Sequence, residues 1–160
     1  MPPLEILIVC SGNICRSPYA AGYLEQRLAL LGEDAARLHS AGTLGIVGSP
    51  PSPETLDLAR EAGFDLGSHR SKGVSFERVD EADLILVMEK GHRLALAAMF
   101  PEDLDKVHLL SEFHPSVKGT ARPPDIFDPI GLSPEDYRRC FALIRDSVDG
   151  FLASRVAHRG

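Results

Sequence analysis

The stretch LEILIVCSGNICRSP, residues 4–18, contains the clearest indications of the fold of this chain. Its first six residues are apolar except for Glu5, and such a run is typical of a strand buried on both faces of a parallel sheet. A helix signal follows directly, because Ser17 can act as an N-cap, Pro18 suits the first helical position and apolar residues then recur at helical spacing. The stretch therefore predicts a strand over 4–9, a loop, and a helix that begins near Ser17 and ends at Gly32.

Strands and helices alternate along the rest of the chain. We predict further strands over 37–41, 82–88 and 106–110, and further helices over 53–62, 91–99 and 133–152. This alternation indicates an α/β protein whose parallel sheet is covered by helices. Residues 112–131 lack periodicity and are rich in proline, and loops of that length are often functional. They include two aspartates, Asp125 and Asp128.

Length and composition exclude several classes of protein. The 160 residues suit one domain over 1–160, and 17 basic against 23 acidic residues give a net charge of −6, which disfavours nucleic acid as a partner. The apolar start is too short for a signal peptide, and no stretch is long enough to span a membrane. We expect a cytoplasmic protein. The three cysteines form neither a disulfide scaffold nor a zinc pattern, so no metal or cofactor is expected.

The loop from Cys10 to Arg16 has the composition of an anion site. In parallel α/β sheets, ligands bind beyond the carboxyl ends of the strands, where a helix N-terminus offers free N–H groups and a positive dipole end. Gly12 and Asn13 permit the unusual backbone conformations that a curled loop needs. Arg16 adds a planar fork that matches two phosphate oxygens.

The same surroundings favour the ionised, nucleophilic form of the Cys10 thiol. Ser17 can donate one more hydrogen bond to its sulfur. A thiolate inside a phosphate cradle is a nucleophile directed at phosphorus. A structural cysteine at the end of a buried strand is the alternative interpretation, and the preceding strand, the Gly and Asn, and the Ser-Pro helix start all favour the nucleophile.

The run VCSGNICRSP resembles the phosphate-binding signature of the low-molecular-weight protein tyrosine phosphatases. Further matches to the same family lie along nearly the whole chain: SAGT at 40–43, SHRS at 68–71, ADLILVM at 82–88 and Asp-Pro at 128–129. The resemblance implies a flavodoxin-like fold with a four-stranded parallel sheet flanked by helices. It also implies a phosphate-binding loop made of Ser11, Gly12, Asn13, Ile14, Cys15, Arg16 and Ser17.

A phenolate leaves poorly unless it is protonated, so the chemistry needs a positioned carboxylic acid. Composition alone does not choose between Asp125 and Asp128. The resemblance assigns the role to Asp128, with Pro129 stiffening its approach, and Asp128 would afterwards activate water against the cysteinyl-phosphate.

The resemblance also implies supporting residues. Ser40 and His69 match positions that tie Asn13 and Ser17 into a hydrogen-bond network, and a strained loop needs such partners. Cys10 and Cys15 match a pair that forms a reversible, protective disulfide. Cys140 lies on the apolar side of the last predicted helix, where we expect it to be a core residue.

The wall of the substrate pocket departs from the family pattern. Many members carry aromatic residues after the Asp-Pro pair, where this chain has Ile130 and Gly131. An aliphatic rim of Ile14, Leu44, Ile46 and Ile130 is therefore expected. Tyr19 is placed either at this rim or on the helix surface. Relatives that act on phosphoarginine resemble the chain near Asp-Pro, whereas the bulky Ile14 fits the tyrosine-directed members better.

The sequence therefore predicts a metal-independent phosphatase that hydrolyses phosphotyrosine, with Cys10, Arg16 and Asp128 as its catalytic residues. A protein arginine phosphatase is the first alternative. An arsenate reductase is disfavoured because its cysteine relay needs two cysteines near 80–90, and a phosphate-binding module without activity would not need the acid.

The expected partner is a phosphotyrosine protein, such as a bacterial tyrosine kinase or an exopolysaccharide-assembly protein, and a monomer is expected.

Overall fold

A computed structural model describes residues 3–32, 36–117 and 119–158. The first strand, β1 (Leu4–Cys10), lies in the centre of a sheet and is buried from Ile6 to its end. Its side chains alternate between two apolar clusters, with Ile6 and Ile8 on one face and Leu7 and Val9 on the other. The prediction of a strand buried on both faces is confirmed.

The sheet has four parallel strands in the order β2-β1-β3-β4, where β2 is Ala36–Gly42, β3 is Leu84–Val87 and β4 is Val107–Leu109. The chain leaves β1 toward β2 on one side and returns to β3 on the other. A crevice forms at such a switch point, beyond the carboxyl ends of the two central strands. In this chain those ends are Cys10 and Val87.

Helices cover both faces of the sheet. On one face, α1 (Arg16–Leu30), α2 (Pro53–Glu61) and α5 (Pro134–His158) share a core with Ile6 and Ile8. On the other face, α3 (Phe76–Glu81) and α4 (Lys90–Met99) pack against Leu7 and Val9. This architecture confirms the predicted fold class. No helix within the described residues is both long and apolar enough to cross a membrane.

Three details of the prediction are wrong: the last helix continues beyond 152 to His158, and the other two concern α1 and α3. Helix α1 begins at Arg16 rather than after Ser17, its N-cap position is Cys15, and the hydroxyl of Ser17 is directed elsewhere. The short helix α3 was not predicted, because Val79 is its only buried residue and one apolar position gives no periodicity. Its N-terminus is capped by Ser75, whose hydroxyl accepts a hydrogen bond from the Arg78 N–H at 3.2 Å.

The long segment predicted as a loop connects β4 to α5. After a short 3-10 turn, Leu110–Phe113, its described residues form no helix or strand before Pro134. It is nevertheless fastened to the sheet, because the Ile126 N–H donates a hydrogen bond to the Met88 carbonyl at 2.8 Å. This contact brings the loop to the crevice at the end of β3.

Candidate active site

The loop between β1 and α1 turns its carbonyl groups outward. Four of them accept hydrogen bonds of 2.8–3.1 Å from surrounding loops. The pairs are Thr43 N–H to Cys10 O, Leu44 N–H to Ser11 O, His69 Nε2–H to Asn13 O, and Ser52 N–H to Ile14 O. Because successive peptide groups of a curled loop direct N–H and C=O to opposite sides, this arrangement leaves the loop N–H groups facing inward as an anion nest.

Close approach of β2 supports the loop. A Cβ atom added to Gly42 would lie only 2.5 Å from the Ser11 carbonyl oxygen and 3.0 Å from the Asn13 nitrogen. Only glycine allows the end of β2 to lie this close to the loop backbone. The carboxyl end of β2 thus packs directly against the backbone of the anion nest.

The Cys10 sulfur is buried and has two hydrogen-bond partners. The Asn13 N–H lies 3.3 Å from Cys10 Sγ, and Ser17 Oγ lies 2.9 Å from it. The Asn13 side-chain amide donates to Ser17 Oγ at 2.8 Å, which leaves the Ser17 proton available, and toward a Cys10 thiolate Ser17 is the donor because the thiolate has no proton. Both donors stabilise a negative charge on Cys10.

Asn13 is the centre of the supporting network. Its φ of 60° is the only positive value among the described non-glycine residues. Its buried side chain also donates to Ser40 Oγ at 3.0 Å and accepts from the Lys72 N–H at 3.0 Å. The structure thus places Ser40 and His69 at the loop, where both contact Asn13 and neither is bonded to Ser17 in the contacts described. Burial lowers the pKa of His69, consistent with a neutral ring that donates through Nε2.

Replacing Asn13 with alanine is expected to lower the stability by about 3–5 kcal/mol, and the melting temperature by about 10 °C, because buried partners lose their hydrogen bonds and alanine resists a positive φ. Asn13→Gly is the matched control. It removes the same side-chain bonds and relieves the backbone strain, so it should be about 1 kcal/mol more stable than Asn13→Ala. Thermal denaturation of both variants checks this. Equal stability of Asn13→Ala and the wild type would contradict the assigned network.

Arg16 is buried close to Ser11, the residue after Cys10, and is held from one side. Its NH1 nitrogen donates to Glu89 Oε2 at 2.6 Å and to the Ile126 carbonyl at 2.7 Å. Its NH2 nitrogen lies 3.4 Å from Ser11 Oγ and 3.7 Å from Asp128 Oδ2. The two NH1 bonds orient the guanidinium so that its other edge is available to a ligand.

The two candidate aspartates have different surroundings. Asp128 lies beside Arg16 and accepts a hydrogen bond from the Ile130 N–H at 3.1 Å, with buried Pro129 between them. Asp125 accepts from the Lys90 backbone N–H at 2.9 Å and forms an ion pair with the Lys90 ammonium at 3.3 Å. The position of Asp128 suits an acid at the crevice, whereas Asp125 caps the start of α4.

Aliphatic side chains surround the site. A Cβ added to Gly12 would lie 3.5 Å from Ile14 and 3.7 Å from Ile46, so these two side chains flank the loop. Leu44 and Ile130 are largely exposed, and their backbone N–H groups bond to Ser11 and Asp128 respectively. All four rim candidates therefore neighbour the loop or Asp128.

The expectation for Tyr19 is wrong in both forms. Its ring is completely buried and stacks on Phe141 with 4.0 Å between the ring centroids. Its hydroxyl accepts a hydrogen bond from Arg145 at 3.0 Å. Tyr19 therefore joins α1 to α5 and belongs neither to the rim nor to the helix surface.

Cys15 and Cys140 are buried free thiols. Burial raises the pKa of Cys15, whose sulfur lies 3.3 Å from Ser52 Oγ and 3.6 Å from the Tyr137 hydroxyl. Cys140 is a core residue, as predicted, and donates to the Phe127 carbonyl at 3.3 Å, while burial raises its pKa to about 12. The pairing of Cys10 with Cys15 stays a prediction.

Sequence reasoning missed Glu89 and His92. Glu89 follows the carboxyl end of β3, a position from which side chains reach the crevice, and this placement was the available signal. His92 is buried in the first turn of α4, and its Nε2 lies 2.8 Å from Ser11 Oγ. No motif links His92 to a residue 81 positions away.

Comparison with known proteins finds relatives along nearly the whole chain. Residues 5–159 match the family model described as low molecular weight phosphotyrosine protein phosphatase. A protein-arginine-phosphatase of Geobacillus stearothermophilus is 36% identical over 147 residues, which cover 92% of this chain and 93% of that protein. A putative low molecular weight protein-tyrosine-phosphatase of Klebsiella pneumoniae is 34% identical over 143 residues, covering 89% and 91%.

A solved structure shares the whole architecture. The low molecular weight protein tyrosine phosphatase from T. tengcongensis superimposes with a TM-score of 0.85 at 32% identity, covering 94% of this chain and 99% of that chain. The family match extends from β1 into α5 and so includes the loop, the buried arginine and the Asp-Pro segment. With sequence and fold in agreement over nearly its full length, the chain belongs to the low molecular weight phosphotyrosine protein phosphatase family.

Proposed function

We propose that this protein hydrolyses phosphotyrosine in proteins through a cysteinyl-phosphate intermediate, without a metal ion. The observation that carries the proposal is the convergence of three groups at one crevice. The Cys10 thiol lies in the anion nest, the Arg16 guanidinium lies 3.4 Å from the hydroxyl of the next residue, Ser11, and the Asp128 carboxylate lies 3.7 Å from the guanidinium.

The first step transfers the phosphoryl group to sulfur. The Cys10 thiolate attacks phosphorus in line with the scissile bond, an S–P bond forms, and the P–O bond to the tyrosine breaks. Asp128 gives its proton to the leaving oxygen. The inward N–H groups and Arg16 bind the three equatorial oxygens, where positioning and charge stabilisation supply most of the catalysis of phosphoryl transfer.

The second step restores the enzyme. Asp128, now a carboxylate, removes a proton from a water molecule that attacks phosphorus. The S–P bond breaks, inorganic phosphate leaves, and Cys10 returns to the thiolate. Because Ser17 and the Asn13 N–H bond to the sulfur, the same contacts that favour the nucleophile also stabilise it as a leaving group.

The aliphatic rim supports an aryl substrate. Ile14, Leu44, Ile46 and Ile130 offer apolar contact to a phenyl ring without aromatic stacking. Burial of apolar area by a ring is favourable by roughly 25 cal/mol per Å². The rim thus favours phosphotyrosine over shorter phosphorylated side chains, because those side chains would not extend far enough to contact the rim.

An arginine phosphatase on the same scaffold is the second candidate. The specific observation in its favour is the 36% identity to a protein-arginine-phosphatase. An arsenate reductase is disfavoured, because Cys140 is fully buried and its thiol is bonded to the Phe127 carbonyl. A binding module without turnover would have no use for Asp128 beside Arg16.

The deciding experiment compares phosphate release from a phosphotyrosine peptide and a phosphoarginine peptide, with EDTA and a reductant present. Cys10→Ser is the blank. We expect preference for phosphotyrosine and full activity in EDTA. Preference for phosphoarginine would keep the cysteine mechanism and replace the substrate, whereas activity that requires added metal would contradict the mechanism.

Asp128→Ala is expected to slow hydrolysis of phenyl phosphate about 10²–10⁴-fold, because its phenolate leaving group, with a pKa of about 10, needs the proton. Hydrolysis of p-nitrophenyl phosphate, which has a far less basic leaving group, should fall much less. Steady-state rates on both esters make the measurement.

Asp125→Ala is the matched control for the acid. It removes a carboxylate three residues away that is bonded to Lys90, and both rates should stay close to wild type. Equal losses on the two esters in Asp128→Ala, or selective loss in Asp125→Ala, would remove Asp128 from the role of acid.

We also propose a cytoplasmic location and a phosphoprotein partner of the kind that bacteria use in tyrosine phosphorylation. A tyrosine kinase or an exopolysaccharide-assembly protein is the first partner to test. Two relatives at 31% and 30% identity are named EpsP, and these names support testing such proteins as substrates first. The monomeric state stays a prediction.

A further inference from the structure

Ser11, which follows the nucleophile, is held by a buried histidine. His92 is 4% exposed, and its Nδ1 accepts a hydrogen bond from the Glu89 N–H at 3.0 Å. An imidazole nitrogen that accepts from an N–H carries no proton, so in the neutral ring the proton is on Nε2. Nε2 lies 2.8 Å from Ser11 Oγ and therefore donates to it.

The neutral ring agrees with its surroundings. Burial, assisted by the Arg16 charge, lowers the pKa of His92 to about 4. At neutral pH the ring thus accepts at one nitrogen and donates at the other. This tautomer follows from the backbone contact of Glu89 and does not depend on the lowered pKa.

Ser11 Oγ receives a second donor. The Arg16 NH2 nitrogen lies 3.4 Å from it. A hydroxyl has two acceptor lone pairs and one proton, so with both lone pairs occupied its remaining function is to donate. The same Arg16 nitrogen lies 3.7 Å from Asp128 Oδ2, which places Ser11 Oγ where the guanidinium and the acid meet.

We propose that the Ser11 hydroxyl is a further ligand of the phosphoryl group, acting as a hydrogen-bond donor that His92 orients. The inference rests on the proposed phosphatase function. Ser11 would contact the phosphoryl oxygen nearest Arg16 and Asp128, while His92 is a positioning residue that acts through Ser11. The site therefore holds one side-chain hydroxyl donor in addition to the loop N–H groups and the guanidinium.

Direct binding of inorganic phosphate tests Ser11 independently of turnover. By calorimetry, Ser11→Ala is expected to raise the phosphate dissociation constant about 10-fold, the loss of one hydrogen bond to a charged group. Ser11→Thr keeps the hydroxyl and should bind phosphate nearly as the wild type does. A crystal structure of the phosphate complex should place Ser11 Oγ about 2.7 Å from a phosphate oxygen. Unchanged affinity in Ser11→Ala, or a Ser11 hydroxyl directed away from phosphate, would overturn the proposal.

Two amide variants separate the functions of His92. Gln can place its N–H₂ near the position of Nε2, whereas Asn can place its oxygen near Nδ1 and is too short to reach Ser11. His92→Gln should therefore keep phosphate affinity, and His92→Asn should lose about as much as Ser11→Ala. Combining His92→Asn with Ser11→Ala should add no further loss, since His92 acts through Ser11. Equal behaviour of the Gln and Asn variants would refute the role given to His92.

The outcome for this inference is separable from that of the proposed function. Wild-type protein that binds phosphate through Ser11 but releases none from either phosphopeptide would refute the phosphatase proposal alone. Wild-type turnover of phosphotyrosine, with a Ser11→Ala variant that binds phosphate normally, would refute the Ser11 proposal alone. Melting temperatures of all variants confirm that the comparison is made on folded protein.

Discussion

Cys10→Ser is expected to reduce turnover of phosphotyrosine peptide by about 10⁴–10⁶-fold, the range seen when a covalent nucleophile is removed. A serine hydroxyl in this loop remains protonated and is a far weaker nucleophile than a thiolate. The substitution changes one buried atom and leaves the inward N–H groups and Arg16 in place. Phosphate binding should therefore survive, and the variant should bind phosphopeptide without releasing phosphate.

Rapid-quench kinetics measures the loss of turnover, and calorimetry on the same preparation measures the phosphate binding that should remain. Cys140→Ala is the matched control, because it removes another buried thiol that lies outside the proposed catalytic machinery. It should keep most of the activity at a somewhat lower melting temperature. Turnover by Cys10→Ser close to that of the wild type would show that the nucleophile is another group.

Arg16 has the second largest expected effect. Arg16→Ala is expected to lower kcat/KM by about 10³–10⁵-fold, comparable to the loss of an arginine that stabilises phosphoryl transfer. Unlike Cys10→Ser, it should also lose phosphate binding. Its removal leaves the Glu89 carboxylate and the buried Ile126 carbonyl without their 2.6 and 2.7 Å donors, so the variant should also unfold more easily.

Arg16→Lys separates charge from geometry. A lysine retains the positive charge but lacks the planar fork, so it cannot bind Glu89 and two phosphate oxygens together. We expect a loss of about 10²–10³-fold, similar to removal of one preorganised donor. Phosphate affinity and kcat/KM for the wild type and both variants make the comparison. Recovery of full activity in Arg16→Lys would show that charge alone is sufficient.

Much of the fold was predictable from local patterns. The apolar run of β1 indicated a strand buried on both faces, and the helical spacing over 53–62 predicted α2, whose N-cap Ser52 accepts a hydrogen bond from the Thr55 N–H. Helix α3 was missed because Val79 is its only buried residue, and a single apolar position shows no helical periodicity. The start of α1 was misplaced because Ser17 uses its hydroxyl for Cys10 and Asn13 rather than for a helix cap.

Local sequence was sufficient to predict the anion loop and to propose Cys10 as its nucleophile, because Cys10, Asn13, Arg16 and Ser17 lie within eight residues and their chemistry needs few distant partners. Four features depend on tertiary contacts: the aspartate beside Arg16, the groups that hold the guanidinium, the packing of Tyr19 and the hydrogen bond from His92 to Ser11. Arg16 meets Glu89 across 73 positions and Ile126 across 110, and His92 meets Ser11 across 81. Contacts of that kind arise because parallel strands bring their carboxyl ends to one edge of the sheet, and local sequence patterns do not encode which side chains meet there.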